Sequence, residues 1–435
     1  LDIVGVVPVY LETSLCIITI DSMKRRIILN LLLSAAFIII GDSCVQLPKE
    51  KESVRIPFQV TPEEPVITLP VSFNDSTIAN MHFDSGALSG ALVLDSSFCS
   101  THPDILFNVL PDTTVSFRSA WSTIRRTSAA IYHSTMAVKI GKEDFIYNRM
   151  EVLDWKRFIG VSADGMLNIG RNDTTHVWEF NFEHNYLEIH NAHNFVMPDN
   201  SWVLPFIQGI NKKFLFFVQL PLSIKCPDGD TLNLNRTFQV DTGMPCDIAL
   251  TSRAGEFLFF DQRKDAVWTQ DLLNYNRYYT VDATLFNKIQ MDSLRIYTFD
   301  YANTLSCNYL IGLNFLKRFN VFFDMKSQRL GLQPINNYKR VVNPRKKRFH
   351  MSSRMNSHGK LIITKIADYE SNYIKKAGLL EGDEIVAING IPIKMITIEE
   401  NTKLNRRDTL VYDIVRQGKS YKIPVVIDRN EVQGD

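Results

Sequence analysis

Two aspartates interrupt apolar strands where a turn residue follows. Residues 238–250 read FQVDTGMPCDIAL and residues 81–94 read MHFDSGALSGALVL. In each, apolar residues lead into Asp-Thr-Gly or Asp-Ser-Gly and a second apolar run follows, a pattern of strand, tight turn and strand. A carboxylate at the end of a core strand must find donors, shift its pKa or do chemistry. Taken singly, either triplet reads as an Asx-type turn. Taken together they say more. Asp84-Ser85-Gly86 and Asp241-Thr242-Gly243 are the two Asp-Ser/Thr-Gly triplets of the chain, where average residue usage gives roughly 0.2 in this length. Two carboxyls held about 3 Å apart cannot both ionise; they share a proton, so one acts as base on water while the other acts as acid on a carbonyl.

The elements that must position these aspartates also repeat. After Asp84 comes DGMLNIGRNDTTHVWEFNFEHNYLEIH (164–190), and after Asp241 comes NYLIGLNFLKRFNVFFDMKSQRLGLQP (308–334). Both read as an apolar pair, a short helical segment, a strand, a polar hairpin turn and a final strand. The middle of the chain is therefore a diverged duplication of roughly 130–140 residues per copy, the size of a small domain.

An apolar strand ending in Asp-Thr/Ser-Gly, followed 70 to 80 residues later by two apolar residues and Gly, resembles one lobe of an aspartic peptidase. The second half resembles the retropepsin-like lobes of bacterial proteins, and two lobes in one chain resemble a pepsin-type bilobal enzyme. The resemblance covers about residues 57–335. It implies an aspartic-type endopeptidase with Asp84 and Asp241 as the catalytic pair, acting on an extended peptide or protein substrate. Gly86 and Gly243 then permit close backbone approach, and the Ser85 and Thr242 hydroxyls bond across the two loops. One residue departs from the family: Asn168 stands where the first lobe would carry Gly after Met166-Leu167. The first loop is therefore expected to be less well supported, and Asn168→Gly is expected to preserve or raise activity. Peptidases of this kind also need a cover over the cleft. Trp121 and Tyr278 each lie 37 residues after their aspartate and are the flap candidates, though an aromatic in a hairpin commonly packs on its own sheet. A peptide-binding protein on the same scaffold, without cleavage, is the alternative reading.

Beyond the basic stretch VVNPRKKRFH (341–350), the run AGLLEGDEIVAINGIPI resembles the signature of a bacterial PDZ domain, and Asn389-Gly390 is a type I′ hairpin signal. Such domains add an extended chain end to a sheet edge. The carboxylate-holding loop is expected just before Leu361, at His358, Gly359 and Lys360. At the other end, Met23-Lys24-Arg25-Arg26 precedes an apolar run over 27–40, which fits a secretory signal and is too short for the roughly 20 residues of a spanning helix. GDSC, ending in Cys44, resembles a lipoprotein processing site. The chain is thus expected to be exported in a bacterium, to the periplasm or to the outer membrane by a lipid anchor at Cys44.

The expected fold is mainly β: two homologous aspartic-peptidase-like β lobes followed by a small PDZ β-barrel-like domain with short helices. The expected boundaries are an upstream extension over 1–22, a signal over 23–44, a linker over 45–56, lobes over 57–195 and 196–335, a linker over 336–346 and the PDZ unit over 347–435. A net charge of +1 makes no case for a nucleic-acid partner. His184, His190 and His193 with Glu183 lack the further acids and fourth ligand of a hydrolytic metal centre, so no metal and no cofactor are expected. With Cys16 and Cys44 set aside, four cysteines allow three pairings. Cys246 and Cys307, each beside a motif of the second half, are the favoured pair.

Overall fold

Alternation of apolar and polar residues makes most of this chain sheet. Ile67–Phe73 buries every second residue fully, with the others half-buried, and Phe217–Lys225 follows the same period. The computed structural model describes residues 54–428 apart from 62–63, 75, 89, 107–109, 119–125, 171–172, 209–215, 227–228, 262–266, 271–274, 300–306, 337, 339–349, 356–359, 368–369, 397–399, 401–402 and 405–406. The described chain is mainly β, as expected from the sequence. Among the described residues no helix is long and apolar enough to cross a membrane.

The first half contains β1 (Arg55–Pro57), β2 (Ile67–Phe73), β3 (Thr77–Phe83), β4 (Leu92–Asp95), β5 (Thr113–Arg118), β6 (Arg126–Tyr132), β7 (Met136–Ile140), β8 (Glu143–Tyr147), β9 (Met150–Leu153), β10 (Gly165–Leu167), β11 (His176–Asn181) and β12 (Tyr186–Asn191). The second contains β13 (Trp202–Pro205), β14 (Phe217–Lys225), β15 (Thr231–Asp241), β16 (Ile248–Thr251), β17 (Val267–Gln270), β18 (Tyr275–Leu285), β19 (Ile289–Phe299), β20 (Tyr309–Gly312), β21 (Phe319–Asp324) and β22 (Arg329–Pro334). Each half builds one sheet, and the two sheets share a strand order. It runs β2-β3-β10-β4-β9-β6-β5 in the first and β14-β15-β20-β16-β19-β18-β17 in the second. Directions match too, with β3 parallel to β10 as β15 is to β20, and β4 parallel to β9 as β16 is to β19. In the second half β18 also pairs with β14 and closes a barrel. In the first half β7 returns to β2, and the long β18–β19 hairpin is replaced by two shorter strand pairs.

A third sheet, ordered β1-β12-β11-β21-β22-β13, is built from both halves. Its centre is the antiparallel pair β11–β21, in which Trp178 faces Phe323 and Phe180 faces Val321. One face carries Trp178, Phe180, Leu187, Val321 and Phe323 into an apolar core drawn from both halves. Phe83, which precedes Asp84, lies in this core with its ring 4.5 Å from Phe180 and 6.2 Å from Phe323. β1 belongs to this sheet, so residues 55 and 56 are part of the first half and not of a linker. The four described cysteines are buried; Cys246 and Cys307, the pair favoured from sequence, lie in one apolar cluster with no disulfide between them.

A fourth sheet holds β23 (Met351–Met355), β24 (Leu361–Ile366), β25 (Glu384–Ile388), β26 (Ile391–Pro392), β27 (Thr409–Arg416) and β28 (Lys419–Val426), ordered β23-β24-β25-β27-β28 with β26 on β25. Asn389 and Gly390 both have positive φ, 51° and 75°, the geometry that the type I′ signal predicts. Asp383 of the LLEGDEI run is buried, accepts from Leu380 N at 2.8 Å and pairs with Arg416 at 2.7 Å.

At the start of β11, His176 sits between two acids, with Nδ1 2.6 Å from Asp173 and Nε2 3.7 Å from Glu143. Burial opposes its charge, but the Asp173 hydrogen bond and the two carboxylate charges outweigh burial and raise its pKa. A raised imidazole contributes stability that is complete below the ordinary value of 6.5 and lost as pH rises through the folded value. Chemical denaturation across pH is therefore expected to show His176→Gln destabilised by about 1 kcal/mol near pH 5, with the difference shrinking above neutrality.

Candidate active site

Each aspartate leaves its strand at the point where a parallel neighbour ends. Leu167 O accepts from Asp84 N at 3.0 Å, and Asp241 pairs in register with Gly312. The chain then turns sharply, with Ala87 N bonded to Asp84 O and Met244 N to Asp241 O, both at 3.3 Å. Asp84 Oδ1 accepts from Gly86 N at 2.8 Å and Ala87 N at 3.1 Å. The first triplet is thus an Asx turn, as the local reading has it, and the nearby N–H groups of Gly243 and Met244 lower the Asp241 pKa against the effect of burial.

The two turns also meet, which turn chemistry by itself does not require. Ser85 N donates to Thr242 Oγ1 and Thr242 N donates to Ser85 Oγ, both at 2.9 Å. The same hydroxyls donate onward across the junction, Ser85 Oγ to Val240 O at 3.0 Å and Thr242 Oγ1 to Phe83 O at 3.1 Å. Both side chains are 1% exposed, so all four bonds are shielded from water. A Cβ on Gly86 would lie under 3 Å from the Asp241 carboxyl, and one on Gly243 under 3 Å from the Asp84 carboxyl. Each carboxyl therefore rests on the other half's glycine, and any side chain there would push the pair apart.

The carboxyls are hydrogen-bonded to one another, and their surroundings differ. Asp84 is half-buried and Asp241 is buried. Burial first, then the charge of Asp84 and the hydrogen bond to it, push the Asp241 pKa well above the ordinary carboxylate value. Oδ1 of Asp241 is buried with no hydrogen-bond partner among the described residues. An acid and a base side by side, with one acceptor oxygen uncommitted, can hold and polarise a water.

Other expected site residues fall elsewhere. Tyr278 is buried, with its ring 5.3 Å from Tyr297 and the Arg295 guanidinium 4.5 Å above it. It packs on its own sheet and is not a flap residue. Trp121 lies outside the described residues, between β5 and β6; Cys44 also lies outside them, as do His358 and Gly359. Lys360 opens β24, and its Nζ is 2.8 Å from Glu384. β24 is paired on both sides, by β23 and β25, so the strand opened by Leu361 has no edge to offer. The strands at the ends of this sheet's order are β23 and β28.

One described group has metal-ligand spacing, Glu179, Glu188 and His190, on the face of the third sheet turned away from the core. Its members already satisfy one another. His190 Nε2 is 2.7 Å from Glu179 and Nδ1 3.9 Å from Glu188, which also takes Arg55 at 3.2 Å. His184 stacks on Tyr186 and His193 lies 2.8 Å from Lys326. Sequence reasoning missed Gln239, buried two residues before Asp241, whose amide donates to Gly86 O across the junction at 3.1 Å. A polar residue on an apolar strand, at the spacing that shares a face with Asp241, is the signal that could have found it. No protein-family model matches the chain, and no curated protein does.

A raised acid sets a sign for stability. Between its ordinary value of 3.8 and its raised folded value, Asp241 binds more proton folded than unfolded, so stability falls as pH rises through that window. Asp241→Asn, which removes this cost, is expected to have a higher Tm than wild type at pH 7. The gap is expected to close as pH is lowered toward 4, as read by calorimetry at both pH values.

Proposed function

We propose that this protein is an aspartic-type endopeptidase that hydrolyses peptide bonds with water activated between Asp84 and Asp241. The supporting observation is the reciprocal seating of each carboxyl on the glycine of the other half, locked by the Ser85–Thr242 bonds. Burial favours Asp241 as the holder of the shared proton, which leaves the charge on Asp84. Asp84 takes a proton from the water as its oxygen attacks the carbonyl carbon, and Asp241 gives its proton to the carbonyl oxygen. The resulting gem-diol collapses as a proton passes to the departing nitrogen, and the C–N bond breaks. No cofactor enters this scheme. The substrate is an extended peptide lying across the junction of the two halves.

The fourth sheet is, on this reading, a PDZ domain that takes a C-terminal peptide by strand addition at β23. The protein is an exported bacterial lipoprotein, in the periplasm or on the outer membrane, whose membrane contact is the acyl chain on Cys44. Mass spectrometry of the mature chain is expected to find an acylated Cys44 at its N-terminus; an unmodified start elsewhere removes the anchor.

Cleavage of a peptide library is expected to follow a bell-shaped pH profile set by the two macroscopic pKa values of the pair. Asp84→Asn and Asp241→Asn are each expected to lower kcat at least about 1,000-fold, and the double variant little further, because the pair acts as one unit. Tight peptide binding by the wild type with no cleavage at any pH would favour the non-catalytic reading.

A further inference from the structure

We infer that Asn168 is a positioning residue that aims the Asp84 loop, a task shared in the second half by main chain and the Asn314 side chain. The inference rests on the reading of Asp84 as catalytic. Strand register makes Asn168 the counterpart of Gly312. Leu167 pairs with Phe83 and Leu92, as Ile311 pairs with Val240 and Ile248. The residue after each enters the loop.

At Gly312 nothing but hydrogen fits, since a Cβ would lie under 3 Å from Met244 O, Cys246 O and Cys246 Sγ. The loop is instead held by consecutive N–H groups and by Asn314, whose Nδ2 donates to Pro245 O at 2.9 Å. Gly312 N donates to Asp247 O at 2.8 Å, Leu313 N to Met244 O at 2.7 Å and Asn314 N to Cys246 O at 3.0 Å. The first loop spans 84–91 before β4, whereas the second spans 241–247 before β16. The extra residue opens the room that Asn168 fills, at 0% exposure. Its Nδ2 donates to Ala87 O at 2.9 Å and Leu88 O at 3.3 Å, and its Oδ1 accepts from Ile169 N at 2.7 Å. Tyr147 of the first half's additional β7–β8 pair donates to Asn168 O at 3.1 Å, so this residue is fixed from behind.

The bonds bear on the chemistry through two peptide groups. The unit joining Gly86 to Ala87 takes Gln239 Nε2 at its oxygen, and its N–H points at Asp84 Oδ1. The next unit, from Ala87 to Leu88, takes Asn168 at its oxygen. Gln239 thus strengthens the N–H that donates to Asp84, since a donor at a carbonyl strengthens the N–H bond at the other end of the same unit, and Asn168 fixes the adjoining unit. In the second loop a side-chain amide reaches Pro245 O, from Asn314 at 2.9 Å, one residue further from its aspartate than Ala87 is from Asp84. His82, which occupies Gln239's position on β3, has both ring nitrogens buried without a partner among the described residues. The family's glycine is therefore not an improvement at 168, and the expectation that Asn168→Gly preserves or raises activity is reversed.

Amide hydrogen exchange by NMR tests this without relying on turnover. In Asn168→Gly the N–H groups of residues 86 and 87 are expected to exchange at least ~10-fold faster, with those of 243 and 244 unchanged. Asn168→Asp keeps the shape and the Ile169 contact but loses the donor. It is expected to match Asn168→Gly near pH 7 and to regain protection near pH 4, where a protonated carboxyl again donates to Ala87 O. A general packing defect would not recover with acid. Peptide cleavage is expected to show kcat lowered at least ~10-fold in Asn168→Gly with KM changed less than ~3-fold. Unchanged exchange at 86 and 87 in Asn168→Gly overturns the inference. Faster exchange in a protein whose wild type cleaves no peptide overturns the peptidase reading and leaves the positioning role standing.

Discussion

Four hydrogen bonds between two buried hydroxyls and the facing backbone are the constraint on which the rest of the molecule depends. Ser85 Oγ and Thr242 Oγ1 each accept one amide and donate to one carbonyl of the other half. Neither loop can satisfy these groups by itself, and a buried donor or acceptor left unpaired costs about 1–3 kcal/mol. The halves must therefore meet at these turns to within hydrogen-bond tolerance. The shared sheet, with β11 against β21 and Phe83, Phe180 and Phe323 beneath, supplies the apolar area that holds them there.

That same closeness creates an electrostatic conflict. Glycines 86 and 243 admit the opposing carboxyls, so two acids share a space in which one of them is buried. Protonation resolves the conflict by leaving one negative charge where two would repel, and the Gly86 and Ala87 N–H groups point at an Asp84 oxygen. A site built this way is unstable by local rules and is kept by its surroundings, as functional strain commonly is. Burial is the first cause of the raised Asp241 pKa, and the half-buried Asp84 lacks it.

The two halves differ in how they support these turns. A one-residue difference in loop length changes which residue can follow the apolar pair, glycine in one half and asparagine in the other. Each choice fails in the other's setting: a side chain at 312 meets two carbonyls and a sulfur, whereas a glycine at 168 takes the side-chain donor from Ala87 O. Loop length and residue type are thus one decision made twice, differently.

The triplets, the repeated strand pattern, the mainly β class and the Asn389-Gly390 turn were legible in the sequence because each is governed by residues within a few positions of one another. Apolar alternation sets strand faces, and Asp, Gly and Asn set turns. Residues whose roles depend on distant partners were not legible. Tyr278 has the right offset for a flap, yet Arg295 and Tyr297 claim its ring from the neighbouring strand. Leu361 begins a strand of the expected kind, but β23 occupies the edge a ligand would need. Asn168 looked like a defect because its value lies in carbonyls 80 residues earlier in the chain. Spacing along a chain cannot say which strand edge remains open or which carbonyl lacks a donor, since both are settled when separate segments compete for the same hydrogen bonds during packing.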